Sequence, residues 1–181
     1  MSTNIIYNNH GLVITKNEST YESCFQIENS RVYLDKLFNL RFIHAIMKVN
    51  GEFIEDSKIQ LNDEGTTAQI FILIKHLYAD LGIPQFYMHF SISSVKNDDG
   101  STISYMIESI HDKPSDCDED CELMDIKFAK IVCQFLNKHN CTIHQEISMN
   151  EIPKFIEKIM VLLYSKMFLN VKRFIDNFSI L

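Results

Sequence analysis

The residues best equipped for chemistry are five cysteines, at 24, 117, 121, 133 and 141, and seven histidines, at 10, 44, 76, 89, 111, 139 and 144. Cys117-x3-Cys121, completed by His139, Cys141 or His144, would offer thiolates and imidazoles to zinc. The spacing is not that of a Cys-x2-Cys pair. The two cysteines also stand one helical turn apart, on a stripe with Met124 and Phe128, where cysteine serves as a small core residue. The acidic run 116–122 suggests calcium. Counted from Asp116, however, the sixth and twelfth positions of a calcium loop are Cys121 and Lys127, where glycine and glutamate are needed. Acids at a helix start, facing its dipole, explain the run better. No G-x-S-x-G, phosphate loop or H-E-x-x-H occurs. No catalytic residue, metal or cofactor is therefore expected.

Those residues must be held by a folded scaffold. The chain has 181 residues, 46% of them hydrophobic and 23% charged, with only 5 Gly and 3 Pro, which predicts one domain over 1–181 with a sizeable core. The net charge of −7 makes nucleic acid an unlikely partner. Lys166, Lys172 and Arg173 read as a solvated helix face. The odd cysteine count and a polar start with no signal peptide suggest an intracellular, reducing compartment. The longest apolar stretch, 159–164, is too short to span a bilayer, so no membrane partner is expected. The usage of 25 Ile, 14 Asn and 14 Lys against 3 Arg follows AT-rich codons, as in a protist, an AT-rich bacterium or a large DNA virus.

Periodicity supplies the elements. Alternation predicts strands over 12–15 and 20–28, the second with Tyr21, Ser23, Phe25 and Ile27 on one face. It predicts another over 41–49, turned by Asn50-Gly51 into 52–56. Thr66 and Gln69 form a capping box, and Ile70, Leu73, Ile74, Leu77 and Leu81 a stripe, so a helix is predicted up to Gly82. A hairpin of 85–95 with 102–110 follows. A second helix is predicted over 115–138, a strand over 141–147, and a long terminal helix opened by Ser148 and Glu151. The fold class is α+β, a two-layer sandwich of an antiparallel or mixed sheet of about six or seven strands packed by three helices on one face. Leu77 and Phe90 are expected core positions.

Two surfaces invite a partner. The strand faces with His44 and with Tyr87 and His89 mix aromatic, imidazole and hydroxyl groups. The terminal helix is apolar all round over 159–164, which places Met160, Leu162 and Tyr164 against a neighbour helix or another chain. The candidate interaction surface is thus His44, Tyr87, His89, Met160, Leu162 and Tyr164. The expected function is a non-catalytic intracellular interaction or assembly subunit, with a protein partner or self-association. The alternative is an enzyme whose Cys, His or acidic site lies on the open sheet face.

Overall fold

The computed structural model describes residues 4–115, 117–150 and 153–179. Among them, ten strands form one sheet: β1 Asn4–Asn9, β2 Leu12–Asn17, β3 Thr20–Glu28, β4 Ile54–Leu61, β5 Thr67–Ile74, β6 Phe86–Lys96, β7 Thr102–Ser109, β8 Glu122–Leu123, β9 Ile126–Asn137 and β10 Asn140–Met149. Two short helices, α1 Leu34–Leu37 and α2 Ile43–Val49, and one long helix, α3 Lys154–Asn177, complete the fold with 3-10 turns at Leu40–Phe42 and Ala79–Leu81. The sheet order is β1-β2-β3-β10-β9-β7-β6-β5-β4, antiparallel throughout, with only β8 pairing parallel, on β6. The N-terminal meander thus ends on β3. Segment 29–53 carries the chain to the far edge, and the second meander returns until β10 pairs with β3.

Alternation decides the faces. On β3, Ser23, Phe25 and Ile27 are buried while Glu22, Cys24, Gln26 and Glu28 are exposed, as the sequence predicts. Ile103, Tyr105 and Ile107 of β7, Phe90 and Ile92 of β6, and Ile70, Ile72 and Ile74 of β5 extend the same inner face. One core cluster joins it to Phe168 and Ile175 of α3. The α+β class, the antiparallel sheet and the long terminal helix follow expectation. The strand count of six or seven does not.

Three segments differ from their sequence reading. The helix expected over 66–82 is β5, a loop and a 3-10 turn. Five consecutive apolar residues, Ile70 to Ile74, suit a strand covered on both faces, and Phe71 faces a second cluster with Tyr87 and Cys121. The supposed capping residue Thr66 sits in a hairpin turn, its N–H donating to Asn62 Oδ1 at 2.9 Å. Gly82 does take a left-handed φ of 68°, but closes the 3-10 turn. Leu77 is therefore 42% exposed, whereas Phe90 is buried at 7%. Among the described residues, the helix expected over 115–138 is replaced by a loop, β8 and the twelve-residue β9. A bulge at its pairing with the end of β10 shifts the period and lets a strand imitate helical spacing. The strand expected over 41–49 is α2, and Asn50 caps it, its N–H reaching Ile46 and Met47 carbonyls. Tight two-residue hairpins lie elsewhere, among them His10-Gly11, with φ of 52° and 77° between paired Asn9 and Leu12. The expected cap partner Glu151 lies outside the described residues, as does Asp116.

α3 is anchored at its C-terminal half. Ser165, Phe168 and Ile175 are buried, and the Phe168 ring meets Phe25 edge-on at 4.0 Å between centroids. The Ser165 hydroxyl donates to the Val161 carbonyl at 2.7 Å, so a small polar residue is buried without an orphan. The last carbonyls of a helix have no partner within it. Here the buried Asn29 amide donates to Ile175 O and, at 2.8 Å, to Phe178 O, and Arg31 donates to Asp176 O at 2.7 Å. The segments flanking α2 brace the same end: Phe42, in the 3-10 turn before it, stacks on Phe174, and the Asn170 amide donates to Glu52, just after it, at 2.6 Å.

Two stability measurements check this packing. Phe168→Ala should cost about 3–5 kcal/mol in denaturant unfolding, while Leu77→Ala should stay within about 0.5 kcal/mol of wild type. Asn29→Ala should cost about 1–3 kcal/mol and speed amide exchange selectively over 172–178, since it strands buried carbonyls at the helix end.

Candidate functional site

The N-terminal half of α3 does not seal onto the sheet. Between them lies a cavity of about 280 Å³. Its floor comes from the inner faces of the central strands, among them Met88, Phe90, Ile107, Ile126 and Ala129, and its roof from Met160, Val161, Leu163, Tyr164 and Met167. Met88, Met124, Met149, Met160 and Met167, five of the chain's 8 methionines, line it. Unbranched, polarizable thioethers make such a lining adaptable in shape. A small apolar cleft between α3 and the β5–β6 loop adjoins it, sharing Ile74, Met124, Met160 and Leu163.

The polar groups of the cavity are placed by sheet register. Lys16 pairs across strands with Tyr21, and Ser23 with Gln145. These pairs lie two residues apart on β3, about 7 Å. Two residues of α3, Glu157 and Tyr164, come down on them from seven positions apart, about 10 Å along the axis. Glu157 accepts from Lys16 Nζ and, at 2.6 Å, from the Tyr21 hydroxyl. The Tyr164 hydroxyl donates to Gln145 Oε1 and lies 3.1 Å from Ser23 Oγ. Two small networks therefore tie the roof to the floor.

Their electrostatics differ. Burial works to raise the Glu157 pKa, but the Lys16 and Tyr21 hydrogen bonds outweigh it and hold the carboxyl below its ordinary value. The same Glu157 contact raises Lys16, so both partners stay charged near neutrality. Burial pushes the Tyr164 phenol up to about 12, only partly opposed by the Ser23 hydrogen bond. It is a neutral hydroxyl at any physiological pH.

The residues expected to form an interaction surface do not meet. Met160 and Tyr164 line the cavity, Leu162 is 48% exposed, and His44 is exposed on α2. Residues two apart on a helix point about 200° away from each other, so Leu162 could not share a face with the other two. Tyr87 and His89 are on the outer face of β6. Tyr87 is buried beneath the loop that carries Cys117 and Cys121, and His89 Nδ1 lies 3.0 Å from Asp112 O. That face is thus partly covered, not open. The zinc candidates are scattered as well. Cys141 is sealed in the inner core, His144 points outward from the same strand, and His139 Nδ1 contacts the Val32 carbonyl at 2.9 Å. Tyr21, Ser23, Gln145 and Glu157 were not singled out from sequence. One signal was available: Ser23 and Gln145 are polar residues on strand faces that are otherwise apolar.

No protein-family model matches the chain, and no curated protein does. Solved structures match its fold. Human StAR-related lipid transfer protein 5 superposes with a TM-score of 0.70 at 11% identity, covering 94% of this chain and 85% of that one. The human StarD13 (DLC2) lipid transfer and protein localization domain gives 0.71 at 6% identity, with 98% and 90% covered. A Thalictrum norcoclaurine synthase mutant, in complex with a transition-state analogue, gives 0.51 at 10% identity, with 87% and 92% covered. At such identities the likeness is one of fold. It corrects the expectation of an assembly subunit: the helix run that motivated an interface roofs a cavity, in a fold shared with lipid transfer domains. The alternative of an enzyme on the open sheet face gains nothing. Among the described residues, no helix is long and apolar enough to cross a membrane.

The Glu157 network has a pH signature. A carboxyl whose folded pKa is depressed stabilises the fold above its unfolded pKa, and that stability is lost as pH falls through the folded pKa. Chemical denaturation of wild type should therefore show stability falling on acidification below about pH 4.3, and Glu157→Gln should flatten that fall.

Proposed function

We propose that the protein binds a small, largely apolar molecule of the lipid class in the cavity beneath α3 and shields it from water. The observation that carries this reading is the cavity itself, about 280 Å³ of space lined almost wholly by apolar side chains. Interiors are normally close-packed, and an unfilled apolar void forfeits contacts, by about 24 cal/mol per Å³ in one measured series. An apolar guest would make the contacts that such a lining offers and that water makes poorly. The cavity volume is near the lower end of the ~300–1,000 Å³ usual for small-ligand pockets. The lipid transfer named for the human neighbours of the fold supports the same reading.

The neutral fluorophore N-phenyl-1-naphthylamine tests it. Delipidated protein should bind the dye saturably at about one equivalent, with a blue-shifted emission. Ala129→Phe, which fills the floor, should weaken binding by about tenfold or more while circular dichroism stays native, a loss of roughly 1.4 kcal/mol. Leu162→Ala, on the exposed side of α3, should bind as wild type does. Unsaturable dye uptake, or equal binding by folded Ala129→Phe, would reject the cavity as the site.

A further inference from the structure

We infer that the guest is electrically neutral, with one hydroxyl or carbonyl group held by the Tyr164–Gln145–Ser23 network, and that free carboxylates and other anions are rejected. This rests on the carrier reading above and narrows it to a chemical class.

Among the described residues the lining carries no Lys, Arg or His, and the carboxylate that faces it is Glu157, since Glu22 borders the cavity but turns its side chain to the exposed face of β3. Lys16, the cation that reaches the cavity edge, is already spent: its Nζ is bonded to Glu157 and lies 5.3 Å from the centre of the Tyr21 ring. Lys154, which also acts on Glu157, is exposed at the start of α3. An anionic guest would thus be dehydrated beside the Glu157 carboxylate, with no unpaired cation to receive it, and a buried charge without a partner is strongly disfavoured. A neutral polar group meets better terms. The Tyr164 hydroxyl spends its proton on Gln145 Oε1, and the Gln145 amide nitrogen has no hydrogen-bond partner among the described residues. That N–H group is a donor suited to a guest oxygen, and the Ser23 and Tyr164 oxygens retain lone pairs for a guest hydroxyl. The remaining lining is hydrocarbon and thioether, which fits an apolar body.

Displacement of N-phenyl-1-naphthylamine by 1-dodecanol and by dodecanoate at pH 8, both below their aggregation limits, separates the cases. The two have equal chain length and differ in charge, since a carboxyl with an ordinary pKa of about 4.3 is ionised there. Dodecanol should displace the dye at a concentration at least about tenfold lower than dodecanoate. In Glu157→Gln, Lys16 loses its counter-charge, and the ratio should shrink to about threefold or less. Gln145→Leu should weaken dodecanol. Equal or tighter binding of dodecanoate by wild type would overturn the inference, as would failure of both compounds to compete with a dye that does bind. Failure of the dye itself to bind would instead reject the carrier reading.

Discussion

The unequal docking of α3 is the constraint on which the rest depends. Its C-terminal half is held by Phe168 against Phe25, by the buried Ile175, and by Asn29, which takes up carbonyls that the helix cannot satisfy itself. A helix of 24 residues is about 36 Å long and does not follow the curvature of a twisted sheet along its whole length. Firm contact at one end therefore leaves a gap at the other. The gap is the cavity, and two polar networks keep its roof from drifting.

Those networks divide the work. Lys16, Tyr21 and Glu157 form a charged set in which each ion is already matched. Tyr164, Ser23 and Gln145 form a neutral set in which the hydroxyl stays protonated because burial disfavours the phenolate. A charge pair that is internally satisfied adds little attraction for an anion, while a neutral donor and acceptor beside apolar walls can orient one polar group of a guest. Selectivity on this account comes from what the lining lacks, an unpaired cation, as much as from what it contains.

Much of the strand framework was legible because alternation is a local signal. β2, β3, β6, β7 and β10 were all anticipated, as was the terminal helix, since a half-buried strand or helix prints its period directly on neighbouring residues. The failures share a cause. β5 is covered on both faces, so it reads as a continuous apolar run, and Leu77 and Leu81 beyond it completed a helical stripe by coincidence. β9 carries a bulge that breaks the period of two. At 41–49 the alternation was real, but nine residues are too few to tell a strand from a helix of about two amphipathic turns. Asn50-Gly51 suited either ending, because both a hairpin turn and a helix terminus favour those residues.

The sequence by itself determined the class of the fold, the inward face of β3 with Tyr21 and Ser23, and the expectation that the apolar stretch 159–164 is covered on at least one side. It did not determine what covers it. A helix that is apolar all round signals missing contact with water, and a partner chain, a neighbouring helix and a lined cavity satisfy that signal equally well. Only the tertiary structure decides among them, because the choice depends on the curvature of strands distant in sequence. The candidate site was hidden for the same reason. Lys16, Ser23, Gln145, Glu157 and Tyr164 belong to four separate elements, and only strand register and the placement of α3 bring them together.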